Sequence, residues 1–277
     1  MISFHTKYRP LTSRPFLSSA SYMEYAPCDA LKPYVVCFWG MERTKEEEAD
    51  QEVLVIPDTC VDLIIEINHT KQKVSSRICG IQDHSFRVGR REGKDEISSF
   101  AVRFHFWAVR LFIDMNMKEI YNRMMDFSLI QAGWSSCMDT FSDLKSMDER
   151  ILWMEHYLLT HLDGGRYNLN LYNSVQRILD SSGRIAVKEI CEYSCISQRQ
   201  MERIFRQETG ASIKRMANMV RYQNVWKDIV QQEQFAVQDA VFRYGYSDQS
   251  HLLNEFKRFH GVSPDQARKI AASSLGL

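Results

Sequence analysis

The sequence predicts an α+β chain of two domains: a β-barrel or sandwich followed by helices over residues 1–163, and an all-α domain over residues 166–277. Short apolar runs recur at intervals of about ten residues in the first half, which is typical of an all-β sandwich or barrel. A segment with helical periodicity occurs twice in the second half. Between the halves, the Asp-Gly-Gly-Arg run at 163–166 has the composition of a linker.

Apolar runs separated by turn residues predict six strands in the first half. They lie at residues 34–41, 53–57, 62–68, 77–81, 84–88 and 98–106. Residues 1–26 predict an irregular lead-in, and the acidic run at 42–52 predicts a solvated loop. From residue 108 the pattern becomes helical and continues to an amphipathic helix at 147–162. That helix either packs against the strands or forms a seam with a second copy of the chain.

The repeated segment lies at residues 197–210 and again 51 residues later, at 248–261. In each copy a Ser or Asp suited to capping a helix comes first, apolar residues recur at helical spacing, and a Gly ends the segment. A shorter apolar helix and a tight turn precede each copy. Two helices joined by a tight turn, the second polar on its outer face, form the helix-turn-helix arrangement that reads the major groove of DNA.

The outer faces of the repeated helices carry side chains that can bind bases and phosphates. The candidate DNA-binding residues are Ser197, Gln198, Arg199, Gln200, Glu202, Arg203, Arg206, Gln249, Ser250, His251, Asn254, Lys257 and Arg258. Arginine is the best partner for guanine, and Asn254 stands at the position of the second copy that matches Arg203 in the first. The first helix is therefore expected to contribute more of the specificity. The basic residues towards the helix C-termini are expected to contact phosphate.

Residues 169–270 resemble the DNA-binding domain of the AraC/XylS transcription regulators. The resemblance rests on Ser197, Met201, Arg203, Phe205, Gly210, Arg221, Gly245, Phe256, Gly261 and Pro264. It implies seven helices, with two helix-turn-helix units joined by a longer helix at 212–230. At about 1.5 Å per residue that helix spans about 28 Å, close to the ~34 Å between successive major-groove faces. The implied partners are double-stranded DNA and RNA polymerase, in a cytoplasmic bacterial protein.

Three segments of the first half resemble the cupin-like N-terminal domain of one branch of the same regulators. They lie at residues 57–67, 79–81 and 102–112. This sequence departs from the pattern of that branch twice. Thr59 stands in place of a Gly, and Phe106 with Trp107 replaces a Pro-Gly pair.

A small β-barrel can enclose one ligand, so a small-molecule effector is expected in the first domain. The candidate ligand-binding residues are Trp39, Asp58, Asp62, Arg103, His105 and Trp107. Strand alternation places Arg103 and His105 on one face and their apolar neighbours on the other. The structural alternative is that the tryptophans are core residues and that Arg103 pairs with an acid such as Asp62.

Composition and charge limit the other functional classes. Hydrophobic residues make up 44% of the 277 and charged residues 25%, as in ordinary soluble proteins. From Arg166 onward there are 16 Lys and Arg against 11 Asp and Glu, which favours a polyanion as partner of the second half only. No apolar run in the sequence is long enough to predict a membrane span. The first ten residues lack the apolar core of a secretory signal.

Cysteines and histidines are scattered rather than grouped. The seven cysteines include no Cys-x-x-Cys pair, and no His-x-His motif occurs in the predicted strands. Zinc sites need four suitably spaced ligands, so we expect no metal. The scattered cysteines fit reduced thiols. We also expect no cofactor, no catalytic residues and no enzymatic activity. The predicted function is a DNA-binding regulator modulated by an effector. In the alternative, the N-terminal domain only forms a homodimer and the regulator responds to no effector.

Overall fold

A six-stranded antiparallel sheet lies in the N-terminal half of the chain, and the C-terminal half is helical. The computed structural model describes residues 4–17, 22–42, 52–88 and 95–273. The strands are β1 (Tyr22–Tyr25), β2 (Val35–Glu42), β3 (Val53–Val55), β4 (Cys60–Asn68), β5 (Lys73–Cys79), β6 (Phe86–Val88), β7 (Ile97–His105) and β8 (Met124–Asp126). The helices are α1 (Phe4–Lys7), α2 (Trp134–Asp143), α3 (Met147–His161), α4 (Leu169–Asp180), α5 (Val187–Tyr193), α6 (Gln198–Thr209), α7 (Ile213–Gln231), α8 (Val237–Tyr244), α9 (Gln249–His260) and α10 (Pro264–Ser273). This order confirms the predicted fold class.

The sheet has the strand order β1-β2-β7-β4-β5-β8, with every neighbouring pair antiparallel. The strands β3 and β6 form a separate two-stranded ribbon. Within the described residues the main sheet does not close into a barrel, because β1 and β8 lie at opposite edges. Most of the predicted acidic loop, residues 43–51, lies outside the described part of the chain.

The two faces of the sheet differ in chemistry because side chains alternate along each strand. Phe38, Val102 and Leu63 occupy one rung across three strands, and all three are buried. This apolar face packs against α2, where Phe100 contacts Phe141 with ring centroids 5.3 Å apart. The neighbouring rung on the opposite face carries Cys37, Arg103 and Asp62. The sheet thus has one apolar face and one face with buried polar groups.

The helix α3 packs against the core, which is the first of the two arrangements predicted for it. Ser146 and Glu149 form a capping box at its start. Met154 and Leu158 are almost fully buried. Its apolar stripe is therefore occupied within the chain.

The prediction of helix from residue 108 was wrong for the segment before α2. Residues 109–129 form three short 3₁₀ turns and the strand β8. The reason is tertiary, since β5 presents a free edge on which Met125 pairs with Ile78. The strand β1 was also missed within the predicted lead-in, and it pairs with β2 at the other edge.

The prediction of an irregular lead-in is wrong at α1 as well, whereas the described residues between α1 and β1 are irregular. The lead-in packs between the two halves of the chain. We call residues 4–13 the N-terminal strap. Phe4, Tyr8 and Ser13 are 1%, 6% and 3% exposed. The side-chain amide of Gln223 on α7 accepts a hydrogen bond from the backbone N–H of Leu11 at 2.8 Å and donates one to its carbonyl at 3.1 Å. The strap therefore joins the sheet to the longest helix.

Candidate nucleic-acid interface

The helix α6 has a buried face and an exposed polar face. Its N-cap Ser197 forms a capping box with Gln200, in which each side chain accepts a hydrogen bond from the other residue's backbone N–H. Met201 and Phe205 are fully buried. Gly210 ends the helix in the left-handed conformation, with φ of 81°. Local sequence therefore determines both ends of the helix and which face is outside.

The predicted contact residues of α6 lie together on its outer face. Exposed are Ser197, Gln198, Arg199, Gln200, Arg203 and Arg206, whereas Glu202 is half-buried. Arg199 and Arg203 are one turn apart, and neither makes an ion pair with a residue that the structure describes. Ser197 and Gln200 already use their polar groups to cap the helix. Together with Arg206, the two arginines are thus the longest donors on this face that have no ion-pair partner among the described residues.

The second helix, α9, repeats this construction. Asp248 caps it by accepting from the backbone N–H of His251 at 2.7 Å, and Gly261 ends it with φ of 84°. Its predicted contact residues are all exposed: Gln249, Ser250, His251, Asn254, Lys257 and Arg258. Several of these side chains already have partners within the unit. Gln249 donates to Gln238 at 2.6 Å, and Arg258 donates to Glu255 at 3.2 Å. The larger contribution of α6 to specificity stays a prediction.

The two turns are similar but not identical. The first helices of the units, α5 and α8, start 50 residues apart, whereas α6 and α9 start 51 apart. The extra residue lies in α8, which has eight residues against seven in α5, whereas each turn has four residues. The left-handed residue is Gly245 in the second turn, with φ of 65°, and Cys195 in the first turn, with φ of 52°. The sequence predicted the glycine turn but not the left-handed cysteine.

A buried ion pair holds α9 against α7. Arg221 donates two hydrogen bonds to one oxygen of Glu255, at 2.6 and 3.1 Å, and Glu255 is 6% exposed. The Tyr246 hydroxyl donates to the same oxygen at 2.9 Å. Burial, followed by the nearby carboxylate, raises the pKa of Tyr246 well above its usual range. Sequence reasoning missed Glu255, because no matching acid stands in the first copy.

The N-terminal half contacts both helix-turn-helix units. Arg215 at the start of α7 donates to the Asp83 carboxylate at 2.8 Å, and its guanidinium stacks over Phe259 of α9. Burial of the Asp83 carboxylate opposes its ionisation. Hydrogen bonds from Tyr121 and other neighbours, together with the charge of Arg215, outweigh burial and lower the pKa of Asp83 to about 2. A second ion pair, from Arg110 to Glu208, reaches the end of α6 at 2.9 Å.

The candidate ligand residues divide into a polar cluster and an aromatic group. Arg103 donates to both oxygens of Asp62 at 3.0 Å, and it lies 3.7 Å from Asp58. The predicted alternative, in which Arg103 pairs with Asp62, is therefore present. Burial, ahead of the opposing charge of Arg103, raises the pKa of Asp58.

Of the aromatic group, His105 and Trp107 lie at and just after the end of β7, and Trp39 lies on β2 opposite Ala101. His105 stacks on Trp107 with ring centroids 4.3 Å apart, and the Trp107 indole donates to the carbonyl of Pro33 at 3.0 Å. Trp107 is thus a core residue with a satisfied polar group. The Trp39 indole N–H is buried, and no described residue accepts a hydrogen bond from it.

The described residues contain no group of three or more His, Cys, Asp and Glu side chains that could hold a metal ion. Among the same residues, no helix has both the length and the hydropathy needed to cross a membrane.

Comparison with known proteins gives a match in each half. Residues 190–270 match a family described as a helix-turn-helix domain, and residues 23–126 match a domain of unknown function, DUF6597. An uncharacterized HTH-type transcriptional regulator of Haemophilus influenzae is 30% identical over 83 residues, which are 30% of this chain and 28% of that protein. The chain thus spans less than a third of the length of this relative.

Similar solved structures share low identity with the chain. The C-terminal domain of AraT, a response regulator from Geobacillus stearothermophilus, is 24% identical at a TM-score of 0.35, covering 38% of this chain and 87% of that one. ToxT from Vibrio cholerae is 12% identical at a TM-score of 0.40, covering 91% of this chain and 96% of that one. The chain thus resembles a helix-turn-helix domain over residues 190–270 and a DUF6597 domain over residues 23–126.

Proposed function

We propose that the chain is a sequence-specific DNA-binding transcription regulator, in which α6 and α9 enter neighbouring major grooves on one side of a duplex. The observation that carries the proposal is the outer face of α6, where Arg199 and Arg203 are exposed and have no ion-pair partner among the described residues. Arginine on a reading helix can pair with guanine through two hydrogen bonds. The 19 residues of α7 span about 28 Å, which suits two successive groove faces.

Substitution of Arg203 tests direct reading of bases. Sites bound by the full chain are first selected from random duplexes. Arg203→Ala should then weaken binding to the selected site by about 1–3 kcal/mol and relax the preference at one base pair. Its binding to random duplexes should change much less. An equal loss on both kinds of DNA would contradict base reading by this residue.

Asn254→Ala is the matched variant on the second reading helix. Asparagine reaches less far than arginine and has no charge, so the loss of affinity for the selected site should be smaller than for Arg203→Ala. Equilibrium binding of both variants to the same duplex measures the order. If Asn254→Ala is the more damaging, α9 rather than α6 dominates recognition.

For the N-terminal half we propose a small-molecule effector site on the polar face of the sheet. Trp39 supports this proposal, because its buried indole N–H lacks an acceptor in the described part of the chain and lies on the same face as Arg103 and Asp62. A buried donor left unpaired costs about 1–3 kcal/mol, which an acceptor atom of a ligand would remove. The ligand alters regulation only if it binds one arrangement of the reading helices better than another.

Titration of DNA binding with fractionated cell metabolites tests the effector. A fraction that shifts the affinity of the full chain should lose its effect on Trp39→Phe, whose affinity without the fraction should match the unsubstituted chain. If no fraction changes the affinity, the N-terminal half acts without an effector and its proposed role is pairing of two copies, which sedimentation measures. We also propose RNA polymerase as a partner of the chain when it is bound to DNA.

A further inference from the structure

A basic cavity lies between the N-terminal half and the first reading helix. It has a volume of about 570 Å³. The 3₁₀ turn Met117–Glu119 forms one wall and α6 forms the other. The cationic lining residues are Lys118, Arg199, Arg203 and Arg206, and the remaining ones are neutral and polar. A residue of the N-terminal half therefore shares a cavity with the residues proposed to read DNA.

The cations of this cavity are not neutralised within the described part of the chain. Lys118 and the three arginines are exposed, and no acidic side chain there forms an ion pair with any of them. On α6 the arginines are three or four residues apart, a spacing at which like charges repel. An anion between the two walls would relieve this repulsion, and a phosphate oxygen accepts hydrogen bonds from both arginine and lysine.

Close packing fixes the turn relative to α6. A Cβ atom at Gly210 would lie only 2.7 Å from the carbonyl oxygen of Met117, so the backbones meet where α6 ends. The Arg110–Glu208 ion pair also joins the N-terminal half to α6. Asn116 shapes the turn by accepting from the backbone N–H of Lys118 at 3.1 Å. The lysine is thus presented beside the reading helix before any ligand binds.

We propose that Lys118 of the N-terminal half contacts a backbone phosphate of the DNA beside the groove that α6 enters. The inference rests on the proposed function and assigns the N-terminal half a direct part in DNA binding. A lysine–phosphate contact carries no sequence information, but it adds affinity and fixes register. The same cavity chemistry suits a free phosphate, so the experiment must separate the two sources.

The test compares full-length Lys118→Ala with the unsubstituted chain on the selected duplex and on a random duplex over a range of salt. Lys118→Ala should weaken binding to both duplexes by a similar factor, roughly 5- to 10-fold near 0.1 M salt, and should reduce the salt slope by about 1. Lys118→Arg should restore both quantities. Lys145→Ala is the matched control, because Lys145 is an exposed lysine of the N-terminal half far in sequence from the cavity; it should change neither.

Arg203→Ala in the same series separates the inference from the proposed function. One outcome is that Lys118→Ala keeps the original affinity and salt slope while Arg203→Ala loses its preference for the selected site. That result would overturn the proposed contact between Lys118 and DNA, and it would leave the proposal of sequence-specific binding through α6 in place. If the unsubstituted chain prefers no duplex, the proposed function itself fails. Binding of inorganic phosphate that depends on Lys118, together with an unchanged salt slope on DNA, would assign the cavity to a free anion and overturn the contact.

Discussion

Five described residues other than glycine have positive φ, and two of them, Thr59 and Cys195, lie in turns that the sequence analysis considered. Thr59 has φ of 63°, which is unusual for a β-branched residue. It stands where the resembling domains have glycine, and its hydroxyl lies 3.0 Å from the buried hydroxyl of Tyr8 in the N-terminal strap. The structure therefore explains the departure: threonine keeps the turn and adds a hydrogen bond to the strap. Cys195, in the turn of the first helix-turn-helix unit, makes a weak thiol hydrogen bond to the carbonyl of Glu192 at 3.8 Å.

Cys195→Gly should stabilise the chain relative to Cys195→Ala. The residue is exposed and has φ of 52°, so alanine retains the steric penalty of the left-handed conformation and glycine does not. We expect a difference of about 1 kcal/mol in the free energy of unfolding. Urea unfolding of both variants measures it. Equal stabilities would show that the turn relaxes out of the left-handed region at no cost.

At the scale of elements, the helices α6 and α9 were predictable because their signals are local. Ser197 and Asp248 are the observed N-caps, and Gly210 and Gly261 occupy the observed left-handed ends. The linker helix, predicted at 212–230, runs from Ile213 to Gln231, one residue later at each end. Caps and apolar spacing act within a few residues, so the sequence contains them directly.

The elements that were not predicted depend on distant partners. The strand β8 exists because β5 offers a free edge, and the 3₁₀ turn at Lys118 is placed by packing on α6. The pairing of Arg103 with Asp62 was foreseen as an alternative, since alternation puts both on one face. The cavity at Lys118 was not, because no sequence pattern connects the two halves that form it.

Gly210→Ala should destabilise the chain more than Gly245→Ala. Both glycines have positive φ, which costs alanine about 1 kcal/mol. At Gly245 the added Cβ would meet only a flexible side-chain atom of Arg184 at 3.3 Å, whereas at Gly210 it would meet backbone of the N-terminal half at 2.7 Å. We therefore expect about 1 kcal/mol for Gly245→Ala and about 2 kcal/mol or more for Gly210→Ala. Urea midpoints measure both; similar losses would mean that the halves do not touch there in solution.

At the scale of the whole molecule, each half buries a neutral histidine. Burial lowers the pKa of His105 to about 3 and that of His260 also to about 3. Around His105, the positive charges of His5 and Arg9 act in the same direction. The Nδ1 atom of His260 forms a hydrogen bond with the buried Tyr222 hydroxyl at 2.9 Å. Protonation of either ring therefore favours the unfolded chain.

The free energy of unfolding should fall as the pH drops below about 6.5, the pKa of histidine in an unfolded chain. Above that pH the histidines are neutral in both states and contribute no slope. Between pH 6.5 and the folded pKa near 3, the unfolded chain binds protons that the folded chain excludes, at a cost of up to about 1.4 kcal/mol per pH unit for each histidine. Asp83, with its pKa of about 2, adds a loss only below about pH 4.

Urea unfolding at pH 7.0 and 5.0 measures this dependence. The double variant His105→Gln, His260→Gln should show a flatter dependence over the same interval, because it lacks both buried groups. Parallel curves for the variant and the unsubstituted chain would assign the loss to other residues.

The amide of Gln223 has a mechanical consequence for both halves. It is 2% exposed and bonds at once to Leu11 of the N-terminal strap and to the carbonyl of Pro57 before β4. One turn of α7 further on, the Trp226 indole donates to Thr12 at 2.9 Å. The helix α7, which separates α6 from α9, is thus hydrogen-bonded at its middle to the N-terminal half. Rotation of α7 about its axis, or a shift along it, requires that the N-terminal strap move with it.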